Sequence, residues 1–260
     1  MRRIRVIPAL LLKNEGLYKT LKFKEPKYVG DPINTVKILN EKEADELLIL
    51  DITASNENKR PSFEKISEIA SEAFVPVGYG GGITSLDDIK RILNSGIEKV
   101  VLNTAAAENP RLVTDAANMF GSQSVVVSID VKKNIFAKYR VYIKDGRKKT
   151  VLDVIDWARR IEELGAGEIL INSIDRDGTF SGYDIKLIRS VTSSVTIPVV
   201  ACGGASSIED FVHAVNLGGA SAVAAGSMFV FQKTRTGILI SFPSEAELID
   251  RFYNAINANG

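Results

Sequence analysis

The sequence predicts a closed (β/α)8 barrel, an α/β fold, on three observations. Short β-branched runs alternate with amphipathic stretches eight times along the chain. The runs are apolar on both faces, as buried parallel strands are. Segments of the two halves also repeat at a fixed spacing. Such alternation builds a parallel sheet with helical crossovers, and 260 residues match the ~250 at which eight units close.

In chain order the strand–helix pairs are 4–12 with 33–43, 46–51 with 62–73, 75–79 with 86–95, and 98–103 with 110–120. The second half gives 124–130 with 152–164, 168–173 with 184–193, 197–202 with 207–217, and 221–225 with 244–257. The first run, interrupted by Pro8, is short for a secretion signal and has no cleavage pattern, so it reads as a buried strand. Asp31 before Pro32, Asn109 before Pro110, and a capping box from Ser244 to Glu247 mark helix starts.

The repeat supports closure. Val75-Pro76-Val77-Gly78 through Gly82 matches Ile197-Pro198-Val199-Val200 through Gly204, an offset of 122. That offset also pairs Glu46 with Glu168, Gly96 with Gly218, and Ser85-Leu86-Asp87-Asp88 with Ser207-Ile208-Glu209-Asp210. A duplicated half-barrel follows, and residues 1–260 are expected to form one domain, because half a barrel leaves open edges.

Composition narrows the function. Hydrophobic residues at 45% and charged residues at 25% supply a core and argue against disorder. A net charge of +1 gives no electrostatic basis for nucleic-acid or anionic-membrane binding. Cys202 is the only cysteine, which rules out an intramolecular disulfide and argues against a Cys-based zinc site. No metal or cofactor is expected. No apolar stretch approaches the ~20 residues of a membrane span, so a cytoplasmic protein is expected.

Two glycine corners suggest anion binding. Gly81-Gly82 follows the third strand and Gly203-Gly204 the seventh, each just before a helix. Backbone amides can approach an oxyanion there without a Cβ in the way. Asn103-Thr104-Ala105 and Ala225-Gly226-Ser227 complete the corners at the same offset. The alternative is that these glycines only make tight turns. Two symmetric copies, one at the position favoured for barrel phosphate sites, fit a ligand carrying a phosphate at each end.

Several segments resemble the cyclase subunit of imidazole-glycerol-phosphate synthase, the HisF family. They are Leu50-Asp51-Ile52-Thr53-Ala54-Ser55, Gly80 to Ile83, Asn103 to Ala106, Phe120 to Gln123, Ser173 to Thr179 and Ser181 to Asp184. The resemblance runs from Arg5 to about Phe231. It implies a glutaminase (HisH-like) partner in a heterodimer, with ammonia passing along the barrel axis to a bisphosphorylated aminoimidazole-carboxamide ribonucleotide. It places Lys19, Asp175, Asp177 and Gly178 with the ligand, and Arg5, Glu46, Lys99 and Glu168 as a charged gate on the barrel floor. The alternative for those four is a structural salt-bridge cluster.

The family's acid–base pair is two aspartates ending strands 1 and 5. Asp130 matches the second, but Leu11 stands where the first belongs, and an offset of 119 within the repeat sets Leu11 opposite Asp130. Leucine exchanges no protons, so cyclisation is expected to be nearly lost. Asn172 and Cys202 replace a family threonine and serine. The hairpin carrying Lys144, Asp145, Gly146, Arg147, Lys148 and Lys149 also departs, and reads as a solvated basic turn. His213 and Trp157 read as helix residues with no catalytic part. Three functions stay open. One is a HisF-like barrel conducting ammonia to another acceptor, as in paralogues beside surface-polysaccharide genes that form acetamidino sugars, where a third, ATP-dependent amidotransferase takes part; the arginine-rich start fits that branch. The others are an authentic cyclase subunit with a substitute carboxylate, and a non-catalytic scaffold that binds a phosphorylated ligand.

Overall fold

Eight parallel strands close on themselves in the computed structural model, which describes residues 4–232 and 237–258. They are β1 (Arg5–Lys13), β2 (Leu47–Asp51), β3 (Val77–Gly80), β4 (Lys99–Leu102), β5 (Val125–Lys133), β6 (Glu168–Ser173), β7 (Val199–Cys202) and β8 (Ala222–Ala225). Each pairs with the next, β5 pairs with β6, and β8 returns to β1. The predicted barrel is therefore present. Of the arginine-rich start, Met1 to Arg3 lie outside the described residues.

The outer ring comprises α1 (Pro32–Glu41), α2 (Phe63–Glu72), α3 (Leu86–Asn94), α4 (Arg111–Phe120), α5 (Val154–Glu163), α6 (Ile185–Thr192) and α7 (Ile208–Asn216). Asp31 caps α1 by accepting from the Asn34 amide. The eighth helical stretch begins at the Ser244–Glu247 capping box and contains a π-helical turn, Ile249–Tyr253. Its Phe252 meets Phe211 of α7 edge-on, with ring centres 5.9 Å apart. Tyr253 donates to the Ile4 carbonyl at 3.2 Å, which ties this end to the first strand. Trp157 is buried in the layer between strands and helices, while His213 is exposed on α7.

Side chains alternate along a strand, so every second residue faces the barrel axis. Ile7, Ala9, Leu48, Val101, Val126, Leu170, Val200, Ala222 and Ala224 form this inner cluster, apart from the outer core.

Two hairpins interrupt the β/α alternation. Gly16–Leu21 and Lys24–Gly30 follow β1; Tyr139–Ile143 and Lys148–Lys149 follow β5. No turn signal marks the first in the sequence, for a physical reason. Its turn residues Lys22 and Phe23 take φ of 52° and 62°, a left-handed pair usually signalled by Asn-Gly or Asp-Gly, and here neither residue is glycine.

The strand registers correct the repeat spacing. Lys99 pairs with Gly78, while Ala222 pairs with Val200. Gly78 and Val200 differ by 122, but Lys99 and Ala222 differ by 123. The extra residue enters after α7: the left-handed glycines there are Gly96 (φ 98°) and Gly219 (φ 74°), not Gly96 and Gly218. The corner residues shift accordingly. Asn103 (φ −127°, ψ −80°) corresponds to Gly226 (φ −112°, ψ −69°), and Thr104 to Ser227.

Candidate active site

The C-terminal ends of the strands open into one cleft lined by Leu11, Lys19, Gly81, Gly82, Asn103, Thr104, Asp130, Asp177, Gly178, Gly203, Gly204, Gly226 and Ser227. Thus nearly all the ligand positions named from sequence converge. Asp175 does not join them: its carboxylate accepts from the Lys133 amide at 2.8 Å and holds the end of β5.

The glycines are conformationally required. Gly81 has φ of 123°, and a Cβ on it would lie 2.5 Å from the Asp51 carbonyl oxygen. Gly204 has φ of 114° and a Cβ there would strike the Gly182 carbonyl. The first turns of α3 and α7 carry the acidic capping boxes Ser85–Asp88 and Ser207–Asp210, so the helix starts already hold negative charge. An anion at either corner would meet the glycine loops and the residues around Thr104 and Ser227 rather than the helix starts.

Lys19 is buried and donates to the Ala9 carbonyl. Its ammonium fills the space a Cβ on Gly226 would need, which brings a cation to the Gly203–Gly204 corner. Burial draws that ammonium down to about 8, against the attraction of Asp177. Among the described residues lining the cleft, Lys19 is the only lysine; at the other corner Thr104 Oγ1 accepts from the Lys144 amide at 3.0 Å.

Asp130 is 8% exposed. Its carboxylate accepts from Ser128 Oγ and from Asn103 Nδ2, each at 3.3 Å. Burial, then the negative charge of Asp145, push its acid up to about 7. Leu11 lines the same cleft and offers no polar atom. Asn172, beside Asp130 in the sheet, leaves its buried Oδ1 without a hydrogen bond. The Cys202 thiol is pushed up to about 12 by burial, so it stays protonated and unreactive.

The β5 hairpin corrects the reading of a solvated basic turn. Arg147, Lys148 and Lys149 are exposed, but Asp145 turns inward and lines the cleft. The Asp145-Gly146 pair was the available signal, since it favours a tight hairpin turn.

At the opposite end lies the charge ring. Arg5 bonds both Glu46 and Glu168. Lys99 Nζ lies 3.0 Å from Glu46 and 3.2 Å from Glu168. The four side chains therefore close a cycle of alternating sign. Burial pulls the Arg5 guanidinium down, but Glu168 and Glu46 more than offset this and raise it. Against the ring, Ile7, Leu48, Gly78, Val101, Val126, Leu170 and Val200, with Glu46, Lys99 and Glu168 of the ring itself, line a pocket of 10 Å³, roughly the room one water-sized molecule needs.

The family model described as "Histidine biosynthesis protein" matches residues 5–235. The chain belongs to this family. Within it, the resemblance is to HisF-type members. A Pseudomonas aeruginosa protein named provisionally as imidazole glycerol phosphate synthase subunit hisF2 is 50% identical over 248 residues, covering 95% of this chain and 99% of its own. A Leptospira borgpetersenii protein provisionally named as the HisF subunit is 46% identical, covering 94% and 96%. The HisF subunit of Alkaliphilus metalliredigens is 43% identical over 229 residues, covering 88% and 91%. The chain is a HisF-like subunit of the imidazole glycerol phosphate synthase family. No described helix is long and apolar enough to cross a membrane.

Proposed function

We propose that this HisF-like chain, acting as one cytoplasmic barrel domain, receives ammonia from a glutaminase (HisH-like) subunit docked at its charged floor. The ammonia travels along the barrel axis to a phosphorylated acceptor in the upper cleft. The observation that carries this reading is the closed ring of Arg5, Glu46, Lys99 and Glu168 beneath an apolar pocket of one-molecule size. A wall of this kind excludes ions while a small neutral molecule can pass. The two glycine corners with Lys19 suit the ligand's phosphates.

Leu11 in the cleft favours an acceptor other than the family's own ribonucleotide, such as a sugar converted to its acetamidino form. A third, ATP-dependent amidotransferase would complete that reaction. The authentic cyclase is the second reading, and the likeness to a HisF subunit over 88% of the chain favours it.

The test is purification with the co-encoded glutaminase, followed by a feed of glutamine labelled with 15N in its side-chain amide. Label is expected in a phosphorylated acceptor or activated sugar, and not in imidazole glycerol phosphate. Failure to bind the glutaminase, with label only in free ammonia, would overturn the reading.

A further inference from the structure

The hairpin after β5 turns back toward the barrel mouth, and its tip is fastened on several sides. Arg147 N donates to the Lys144 carbonyl at 3.1 Å, with φ of 55° at Asp145 and 70° at Gly146. This is a tight turn with both central residues left-handed, as Asp-Gly favours. The Lys144 amide donates to Thr104 Oγ1 at 3.0 Å. Asn56 Nδ2 lies 3.4 Å from Asp145 Oδ2. A Cβ on Gly146 would lie 3.0 Å from the Phe23 ring and 3.2 Å from Ile174, so the turn packs down on both. These contacts hold the Asp145 carboxyl in the cleft that Asp130 and Leu11 also line.

We infer that Asp145 is the second carboxyl of an acid–base pair with Asp130, supplied by the hairpin in place of the one that β1 lacks at Leu11. This rests on the reading that ammonia meets an acceptor in this cleft. Paired carboxyls can divide the work when one keeps its proton and the other does not. Both groups are held near neutrality, chiefly by burial. Asp130 also feels Asp145 and Asp177, and Asp145 feels Arg147 and Asp177. When ammonia adds to a carbonyl carbon, the new C–N bond leaves positive charge on nitrogen. The ionised carboxylate takes a proton from that nitrogen, and the protonated one gives its proton to the carbonyl oxygen. The carbinolamine can then lose water as the C–O bond breaks, the same two groups moving one proton each way. A carboxyl delivered from the hairpin approaches from a different place than one on β1. The acceptor's orientation must differ accordingly.

Asp145→Asn tests this without disturbing the turn, because Asn-Gly favours the same left-handed pair. Carboxyl carbons of 13C-aspartate-labelled protein would be followed by NMR from pH 4 to 9, with the cleft saturated by inorganic phosphate. Asp145 and Asp130 are expected to titrate near neutrality, and Asp145→Asn should lower the Asp130 midpoint by about half a unit or more. In the glutaminase complex, Asp145→Asn should reduce 15N transfer about 100-fold while phosphate affinity changes little. Asp145→Glu should recover most of that loss. An Asp130 midpoint that does not move, or transfer within about 3-fold of the parent, overturns the inference. If the parent complex transfers no label to any acceptor, the proposed function fails instead, and the titration alone decides the pair.

Discussion

Leu11 and Asp130 occupy equivalent places in the two halves of the barrel. Leu11 pairs with Leu50 of β2 and with Tyr18 of the hairpin after β1. Asp130 pairs with Asn172 of β6 and with Tyr142 of the hairpin after β5. Leu50 and Asn172 are 122 residues apart, the spacing of the repeat at those strands. The sheet therefore puts an apolar side chain where its twin half carries a buried carboxyl.

The first prediction concerns the family's own reaction. With ammonium salts, the isolated protein should turn over the bisphosphorylated aminoimidazole-carboxamide ribonucleotide at least about 100-fold more slowly than a relative with both strand-end carboxylates. Leu11→Asp should raise that rate by about 10-fold or more. A parent rate equal to that of an ordinary HisF would sink the view that its acceptor differs.

The second concerns pH and stability. Asp130 is held at about 7 by burial and by Asp145, against ~4 in an unfolded chain. Between those values the folded chain keeps a proton that the unfolded chain has released, so stability falls as pH rises through that window. Asp130→Asn has no such proton to lose. Its stability relative to the parent should improve by about 2–4 kcal/mol between pH 4 and pH 8. Urea unfolding at the two pH values measures this, and a pH-independent difference would contradict it.

A third prediction separates the two corners. Crystals grown with phosphate should show one anion at Gly81, Gly82 and Thr104 and another at Gly203, Gly204 and Ser227. Gly204→Ala forces a Cβ toward the Gly182 carbonyl at a left-handed position, a change worth about 1–3 kcal/mol of stability. It should abolish the second anion and leave the first. Calorimetry with inorganic phosphate would register the loss of one site, and unaltered binding would mean that the glycines only shape turns.

Most of the barrel was legible because its strands are buried on both faces, so apolar runs mark them without ambiguity. The one-residue slip between the halves was hidden by Gly218-Gly219, where sequence alone does not say which glycine is left-handed. The cleft glycines and the charge ring sit at strand ends, whose direction the alternation already fixes, whereas Lys19 lies within the hairpin strand Gly16–Leu21 and is marked only by the family resemblance. Asp145 was harder to see. Its inward turn depends on Thr104, Asn56, Phe23 and Ile174, all distant in sequence, and its neighbours Lys144, Arg147, Lys148 and Lys149 suggest a solvated loop.

The last prediction tests the floor of the barrel. Lys99 joins both acidic members of the ring, at 3.0 Å from Glu46 and 3.2 Å from Glu168, while Arg5 holds the same two carboxylates from the other side. Exposed ion pairs contribute only ~0–1 kcal/mol each, and even buried ones barely repay their desolvation. Stability is thus a weak reason to build a closed cycle of four charges at this spot. A conduit gives a stronger one, because under the proposed reading the cycle would keep water and ions out of the axis at the mouth of the small pocket above it. Lys99→Leu leaves Arg5 to neutralise part of the remaining charge, so the fold should survive with a loss of about 1–3 kcal/mol. Glutaminase binding should persist. What should change is coupling: glutamate released per 15N delivered to the acceptor is expected to rise several-fold over the unaltered complex, as ammonia escapes before entering the barrel. An unchanged ratio in a complex that still forms would mean that the ring is a structural brace and that ammonia does not pass through it.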